Sequence, residues 1–336
     1  MTVALAFIGA GGIASIHLGN LEARDDVDVV AVCDVAEEAA RRAAEPHGAS
    51  VYTDHRELLE AEDPDAVFVA IPPFAHTDQE VLAAERGFDL FVEKPIGLRT
   101  ETADEVEAAI EDAGVVSQVG HMLRYADAVE KARELIGDRD VALVDGRWVG
   151  GVPGASWWGI KEKSGGQVVE QTAHVFDLVR YFGGEVESVR AVGGKRVVGD
   201  EIDFEDAVSA TMKHQNGTVS HVSTSAASPG DDVGLLLVGD GFHLELSFGF
   251  ADGSPPESTS SLEGVVDGEE IEFESEGCAW RSEVDAFVEA VKAGGGDVRS
   301  AYADARRTFD LTLAVNEAIR RDGPVSPKRE RQAVVE

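Results

Sequence analysis

Glu170, His174 and Asp177 are the strongest acid–base candidates in the sequence, because they recur at positions i, i+4 and i+7 of one apolar stretch. This spacing puts all three side chains on one stripe of a helix. A histidine titrates near neutrality, so a histidine close to a carboxylate is suited to general base catalysis. The same pattern is typical of the solvent face of an amphipathic helix, and the spacing alone favours that second interpretation.

Lys94 is a further candidate, because it follows an apolar strand and is one of only eight lysines in a chain with 64 acidic residues. The carboxyl ends of parallel strands form the edge at which such sheets bind ligands. A cation at that edge is placed to act on a ligand, and the alternative is a surface lysine that ends a strand. Its protonation state is open, because burial and neighbouring charges act in opposite directions.

A glycine-rich loop predicts a dinucleotide site. The strand Val3–Ile8 runs into the sequence Gly9-Ala10-Gly11-Gly12-Ile13-Ala14, and a helix begins at once. In this context Gly9 allows the tight turn, Gly11 lets the backbone approach a pyrophosphate, and the small Ala14 lets the helix pack on the strand. The free N–H groups at the helix N-terminus would bind the phosphates. We therefore predict cofactor contacts from Gly9, Gly11, Gly12 and Ile13.

Two further segments are predicted to contact the cofactor. Asp34 ends the second strand, where a carboxylate accepts hydrogen bonds from the adenosine ribose, so NAD is expected over NADP; the alternative is a strand-end turn residue. The fourth strand leads into Ile71, Pro72 and Pro73, which predict a rigid loop at the ligand-binding edge. His76 follows them and either touches the cofactor or faces solvent at a helix N-terminus.

The elements that would position these residues change in type along the chain. Residues 1–120 alternate short apolar strands with helical stretches, which predicts a parallel sheet of βαβ units. Beyond Gly120, alternating runs predict a large, mostly antiparallel open sheet, with a hairpin turn at Asn216–Gly217. The helices expected to frame this sheet are Gln167–Phe182, Glu283–Lys292 and Ala301–Arg320. The predicted fold is a Rossmann α/β domain (1–120), an α+β substrate domain (121–322) and a polar tail (323–336).

Two blocks of sequence carry a resemblance to a known family. Val92-Glu93-Lys94-Pro95, within the stretch 71–96, and the segment 165–177 are similar to the Gfo/Idh/MocA family, which includes glucose–fructose oxidoreductase and inositol dehydrogenase. The resemblance implies an NAD(P)-dependent oxidoreductase that moves a hydride to or from a carbon of a sugar, polyol or glycoside. It further implies that Glu93 and Lys94 lie at the cofactor, with Lys94 between the nicotinamide and the substrate hydroxyl, and that a cis peptide precedes Pro95.

In the second domain the same resemblance implies that His174 is the general base. Glu170 stands where many relatives carry Asp, so its role in proton sharing or substrate binding is open, and Asp177 orients the imidazole or caps structure. Arg124 and Tyr125 fall where relatives contact substrate. Trp157 and Trp158 predict an apolar wall for a sugar ring, or alternatively core packing.

Other reaction classes lack their motifs. The sequence has no H-E-x-x-H, no paired cysteines and no G-x-S-x-G, so no metal site and no serine nucleophile are expected. Two alternatives within the resembled family stay open: a glycosidase that oxidises its substrate transiently with bound NAD, and a non-catalytic NAD-binding regulator.

Composition limits the partners. The formal net charge of −35 predicts no binding to nucleic acid or anionic membranes, and it resembles the surfaces of proteins from extreme halophiles. The two cysteines argue against a disulfide framework. The chain has no long apolar segment and starts without a basic leader, so a cytoplasmic protein is expected. The open sheet predicts a homodimer or homotetramer.

Overall fold

A computed structural model describes residues 2–251, 257–275, 277–296, 298–321 and 323–327. The chain divides into two compact units. The first unit comprises 1–130, 249–260 and 274–305, and the second comprises 131–248, 261–273 and 306–336. This division differs from the predicted boundary at Gly120, because two later segments return to the first unit.

Fourteen strands lie in the described parts of the chain. Those of the first sheet are β1 Val3–Ile8, β2 Val27–Cys33, β3 Ser50–Tyr52, β4 Ala66–Val69, β5 Asp89–Val92 and β6 Ser117–Val119. Those of the second sheet are β7 Val141–Val149, β8 Val186–Gly194, β9 Ala207–His214, β10 Val219–Ser225, β11 Asp232–Gly239, β12 Phe242–Ala251, β13 Glu257–Val266 and β14 Glu269–Ser275.

The described residues also form eleven α-helices, four of which are only four to seven residues long. They are α1 Gly12–Leu21, α2 Glu37–Ala44, α3 His55–Ala61, α4 Gln79–Glu85, α5 Thr100–Ala113, α6 Asp127–Ile136, α7 Lys161–Ser164, α8 Gln167–Glu170, α9 Ala173–Gly183, α10 Ala279–Ala293 and α11 Tyr302–Arg321. None of the helices in these ranges is long and apolar enough to cross a membrane.

The first sheet is a parallel six-stranded sheet in the order β3-β2-β1-β4-β5-β6. This order reverses between β1 and β4, which is the position at which sheets of this type bind a ligand. The glycine loop after β1, Asp34 after β2 and Lys94 after β5 therefore share one edge. The predicted Rossmann architecture is confirmed; only the short β3 was not predicted.

Stacked phenylalanines fill the core of the first unit. The rings of Phe7 and Phe68 stack at 4.7 Å, and those of Phe68 and Phe91 stack at 4.6 Å. Phe287 of α10 meets Phe68 and Phe91 edge-on. The sequence analysis placed α10 against the second sheet, which is wrong, because the apolar face of α10 is buried in this first core.

The second sheet has eight strands in the order β14-β13-β12-β11-β7-β10-β9-β8. Strands β7 and β10 pair in parallel, whereas β7–β11, β11–β12, β9–β10 and β8–β9 are antiparallel. The predicted hairpin at Asn216–Gly217 joins β9 to β10, with Gly217 at φ +98°. The mostly antiparallel second sheet is thus confirmed.

Two predicted features of the second unit differ from the structure. The single helix expected over Gln167–Phe182 is divided into α8 and α9. Within the predicted polar tail, Val325 exchanges two backbone hydrogen bonds with Val189 of β8; residues 328–336 lie outside the described residues.

Candidate functional site

The glycine loop has the geometry of a dinucleotide turn. Gly9 has φ +103°, and a Cβ there would lie 2.2 Å from the carbonyl oxygen of Ala70, so only glycine fits. Gly11 is the N-cap of α1, has no side-chain cap, and has no atom within 4 Å of the position a Cβ would take. Ala14 is fully buried, as its predicted packing role requires. The open N-terminus of α1 therefore suits a phosphate.

Asp34 is joined to this loop by hydrogen bonds. Its Oδ2 accepts the backbone N–H of Ala10 at 2.9 Å, and its Oδ1 accepts the N–H of Ala36 at 2.8 Å. Each carboxylate oxygen can accept more than one hydrogen bond, so the side chain can also bind ribose hydroxyls. Its orientation is fixed by the loop that would bind the pyrophosphate, and these residues together fit NAD.

The loop after β4 is partly buried. Ile71 and Pro72 are half-buried, and a short 3-10 turn follows at Pro73–Ala75. His76 is enclosed rather than exposed at a helix N-terminus, and its Nδ1 forms a short hydrogen bond with the buried carboxylate of Glu80. The structure thus places His76 at the predicted sheet edge but pairs it with an acid of its own unit.

Lys94 follows β5 and is half-buried, and the Lys94–Pro95 peptide bond is cis, as predicted. Glu93, the residue before Lys94, is buried. Its Oε2 accepts the backbone N–H of Lys94 at 3.1 Å, and its Oε1 lies 2.6 Å from Nε2 of His17. Glu93 therefore holds the backbone of Lys94 instead of pointing toward a ligand.

In the second unit the break between α8 and α9 separates Glu170 from His174. The N–H of Thr172 bonds to the carbonyl of Gln167, and that of His174 bonds to Gln171, so the regular i to i−4 pattern is interrupted. The hydroxyl of Thr172 contacts that of Thr224 at 2.8 Å, which fixes the turn to β10. Glu170 and His174 consequently do not lie on one continuous helix.

Tryptophan side chains contact both His174 and Glu170. The imidazole of His174 stacks on Trp148 of β7, with ring centroids 5.7 Å apart and planes at 20°. The indole N–H of Trp158 donates to Oε2 of Glu170 at 2.7 Å. Trp158 is itself buried against Phe204, so core packing is the better interpretation for it, while Trp157 is half-buried at the margin of that cluster.

Asp177 has a partner on another helix. It is buried, and its Oδ1 accepts the hydroxyl of Thr308 at 2.8 Å. The same hydroxyl oxygen accepts Nη1 of Arg180 at 2.8 Å. Asp177 thus ties α9 to α11 and fits the structural alternative among its predicted roles.

Arg124 and Tyr125 are packed into the first unit. Arg124 forms a 2.6 Å ion pair with Asp304, and the hydroxyl of Tyr125 accepts the N–H of Arg299 at 3.1 Å. Burial raises the pKa of Tyr125 to about 12. Both side chains are almost fully enclosed, so this placement does not support the predicted contact with substrate.

Sequence reasoning missed three residues around these sites: His17, Trp148 and Glu283. His17 and Glu283 are completely buried, and both lie near Glu93. A glutamate on the apolar stripe of α10 that contains Val284, Phe287 and Val288 was a usable signal, because an acid at a core position needs an explanation. Trp148 gave no such signal, since an aromatic residue in a strand is ordinary.

Sequence models of two domain families match the chain. One is described as an oxidoreductase family with an NAD-binding Rossmann fold and matches residues 3–121. The other is described as a GFO/IDH/MocA C-terminal domain and matches residues 129–245. The first match contains Lys94, and the second contains His174.

Individual proteins show the same likeness. The chain is 33% identical over 216 residues to a 2,7-anhydro-N-acetylneuraminate hydratase of Mediterraneibacter gnavus, covering 60% of this chain and 57% of that one, which is less than two thirds of its length. It is 30% identical over 236 residues to an inositol 2-dehydrogenase of Rhizobium meliloti, covering 67% and 69%. A levoglucosan dehydrogenase structure with NADH and levoglucosan has a TM-score of 0.83 at 19% identity, over 98% of this chain and 100% of that one, which shows a shared fold.

Proposed function

Since this chain belongs to the Gfo/Idh/MocA family of NAD-binding oxidoreductases, we propose that it oxidises a carbinol of a sugar, polyol or glycoside, with NAD preferred to NADP. The observation that carries the proposal is the position of Lys94 at the sheet edge that also bears the glycine loop and Asp34. The likeness to a dehydrogenase of a cyclic polyol supports the substrate class.

NAD, when bound, supplies the hydride acceptor. In the proposed reaction the carbinol carbon loses a hydride and its hydroxyl loses a proton, which leaves a ketone, NADH and a proton. His174 takes the hydroxyl proton, and its stacking on Trp148 fixes the plane of the imidazole. Lys94 orients the hydroxyl oxygen and favours the negative charge that develops on it.

Glu170 is assigned to substrate binding or to proton sharing with His174. The longer side chain of glutamate reaches the indole N–H of Trp158, and this charge-assisted hydrogen bond fixes one of its two oxygens. Arg124, Tyr125 and Asp177 are left out of the proposed machinery, because partners within the fold account for them.

A second candidate is favoured by the hydratase likeness. In that case, bound NAD would oxidise the substrate transiently, and the hydride would return to it before product release, so no free NADH would accumulate. The glycosidase alternative of the sequence analysis shares this property.

We propose the same solution conditions and assembly for both candidate functions. The charge of −35 suits concentrated salt, and the open sheet suits a homo-oligomer.

The experiment is a panel of aldoses, inositols and glycosides with NAD in molar KCl, in which NADH absorbance and substrate loss are both recorded. Equal amounts of NADH and oxidised product support the dehydrogenase. Substrate loss without NADH supports the transient-oxidation alternative. Binding of NAD with no change in any compound would support a regulator and contradict both enzymatic candidates.

A further inference from the structure

A buried cluster of ionisable side chains lies beside Lys94 in the first unit. It consists of His17 on α1, Glu93 at the end of β5 and Glu283 on α10, with side-chain exposures of 0%, 4% and 0%. One nitrogen or oxygen atom from each residue lies within 4.8 Å of the others. We call these three residues the Glu93 cluster.

Three neighbours in the first unit fix the carboxylate of Glu93. Both of its oxygens are engaged, one with His17 and one with the backbone N–H of Lys94. A Cβ at Gly120 would lie 2.7–2.8 Å from this carboxyl group, so the absence of a side chain at Gly120 makes room for it. The position of Glu93 is therefore fixed from three sides.

Aromatic rings surround the histidine of the cluster. The ring centroid of His17 is 5.0 Å from Phe91 and 5.7 Å from Phe68, and Phe287 packs against both phenylalanines. Such apolar surroundings make each unpaired charge costly. Two ionised carboxylates side by side would be especially unfavourable here.

Glu283 is the member without a counterion. In the described part of the chain, neither oxygen of its carboxyl group has a hydrogen-bond partner, and its backbone carbonyl accepts the side-chain N–H of Gln118 at 2.8 Å. Burial raises the pKa of Glu283 well above its usual range, and the charges of Glu93 and Cys278 raise it further, whereas Lys94 acts in the opposite direction.

We propose that the Glu93 cluster is a proton-sharing site in which Glu93 carries the negative charge and Glu283 carries a proton. Glu283 is then a positioning residue, because its neutral form keeps a second negative charge away from Glu93 and Lys94. Glu93 in turn holds the backbone of Lys94. The importance of Lys94 rests on the proposed function; the proton on Glu283 does not.

The first test is the pH dependence of the melting temperature. In the unfolded chain Glu283 ionises near its ordinary value of 4.5, but in the folded chain it keeps its proton to a higher pH, so its contribution to stability falls as pH rises above 4.5. Glu283→Gln removes this loss while keeping size and neutrality. We expect the melting temperature of the variant, relative to wild type, to rise by roughly 2–4 °C per pH unit from about pH 5 upward.

The matched control is Glu105→Gln, the same chemical change at an exposed position of α5 in the same unit. Its melting temperature should follow that of the wild type at every pH. If the difference between Glu283→Gln and wild type stays constant or shrinks as pH rises, Glu283 is ionised in the folded protein and the proposal is overturned. A stoichiometric metal ion that is found in the purified wild type and lost in Glu283→Gln would overturn it as well.

The second test reads how firmly Glu93 holds Lys94, without any substrate. An amine-specific reagent is applied at one pH, and the labelling rate of each lysine is measured by peptide mass spectrometry. In Glu93→Gln the labelling rate of Lys94 should rise severalfold, because a neutral amide holds the backbone N–H of Lys94 more weakly than the carboxylate does. The exposed Lys213, paired with Glu187, is the internal control and should keep its rate.

An unchanged labelling rate at Lys94 would refute the coupling between Glu93 and Lys94. If Glu93→Gln does not fold, the melting series with Glu283→Gln still decides where the proton lies. Neither measurement depends on turnover, so a chain that proves inactive on every sugar would contradict the proposed function while leaving these two outcomes readable.

Discussion

The end of β5 in the first unit and the break between α8 and α9 in the second unit hold their reactive side chains by different means. Lys94 sits above Glu93, which is linked to His17 and lies close to Glu283, so its neighbours are buried ionisable groups. His174 and Glu170 are held by Trp148 and Trp158. In our proposal the first arrangement controls charge, because one proton is shared among its members. The second controls orientation, because aromatic rings restrict how the side chains turn.

This contrast separates two kinds of sensitivity. Substitutions around Lys94 should change properties that depend on charge, such as cofactor preference and the response to pH. Substitutions around His174 should change rates with little effect on cofactor choice. The predictions below test this division, beginning with the largest effect.

His174→Ala should lower kcat by roughly 10²–10⁴ while the protein folds and binds NAD as before. The reason is the loss of the only group assigned to remove the hydroxyl proton. Steady-state kinetics on a substrate identified in the panel gives kcat, and quenching of protein fluorescence gives the affinity for NAD. Near wild-type turnover would remove His174 from the mechanism, and a parallel loss of NAD affinity would break the contrast between the units.

Asp34→Ala should reduce the preference for NAD over NADP by about 10- to 100-fold, since a hydrogen bond to a charged group contributes roughly 1.5–3 kcal/mol. Repulsion of the 2′-phosphate adds little in molar salt, where the Debye length is about 3 Å. The ratio of kcat/KM for the two cofactors is the measurement. Asp34→Asn keeps the oxygen that accepts the N–H of Ala10, so it controls for damage to the loop.

The sequence predicted the first of these regions better than the second. The glycine loop and the strand ends are local features, and β1 has the bounds Val3–Ile8 that its short apolar run predicted. The division of the helix at Gln171–Thr172 was not predictable from the pattern, because it depends on the contact of Thr172 with Thr224 in a distant strand. The stacking of Trp148 under His174 is hidden for the same reason.

The Glu93 cluster shows a further limit. His17 and Glu93 are 76 positions apart in the chain, and Glu283 comes from a helix that was predicted to pack on the other sheet. His17 and Glu93 alone are compatible with surface positions, whereas Glu283 lies on an apolar helix stripe that does not show which sheet it packs on. Only the packing of α10 against the phenylalanine core of the first unit brings the three together.

Trp148→Leu should lower kcat/KM by roughly 2- to 10-fold, because a stacked aromatic pair contributes about 0.5–1.5 kcal/mol beyond its buried area. Trp148→Phe, which keeps a ring, should recover most of the rate. The preference for NAD over NADP should be unchanged in both variants. A change in cofactor preference, or equal effects of the two substitutions, would show that Trp148 does not act through the imidazole of His174.

The last prediction concerns His214, whose contribution to stability changes with pH in the direction opposite to that of Glu283. It lies in the second unit, where its Nδ1 contacts the carbonyl of Gly184 at 2.7 Å and its Nε2 contacts the hydroxyl of Ser220 at 2.7 Å. Burial lowers the pKa of His214 below its ordinary value of 6.5. Below that pH His214 binds a proton in the unfolded chain but stays neutral in the folded chain. Its contribution to stability is therefore fully present above about pH 6.5 and is lost as pH falls.

On acidification from about pH 6.5 to pH 5.5, the melting temperature of His214→Gln should therefore fall less steeply than that of the wild type. The difference between the two slopes should be roughly 2–4 °C per pH unit. His243→Gln, at an exposed position of β12, makes the same chemical change and should keep the wild-type slope. Differential scanning calorimetry across this range measures both. Parallel slopes for His214→Gln and wild type would show that His214 accepts a proton in the folded protein. Carboxylates paired with arginine, such as Glu185 with Arg180, cannot replace it in this range, because their contribution to stability is lost only below about pH 4.5.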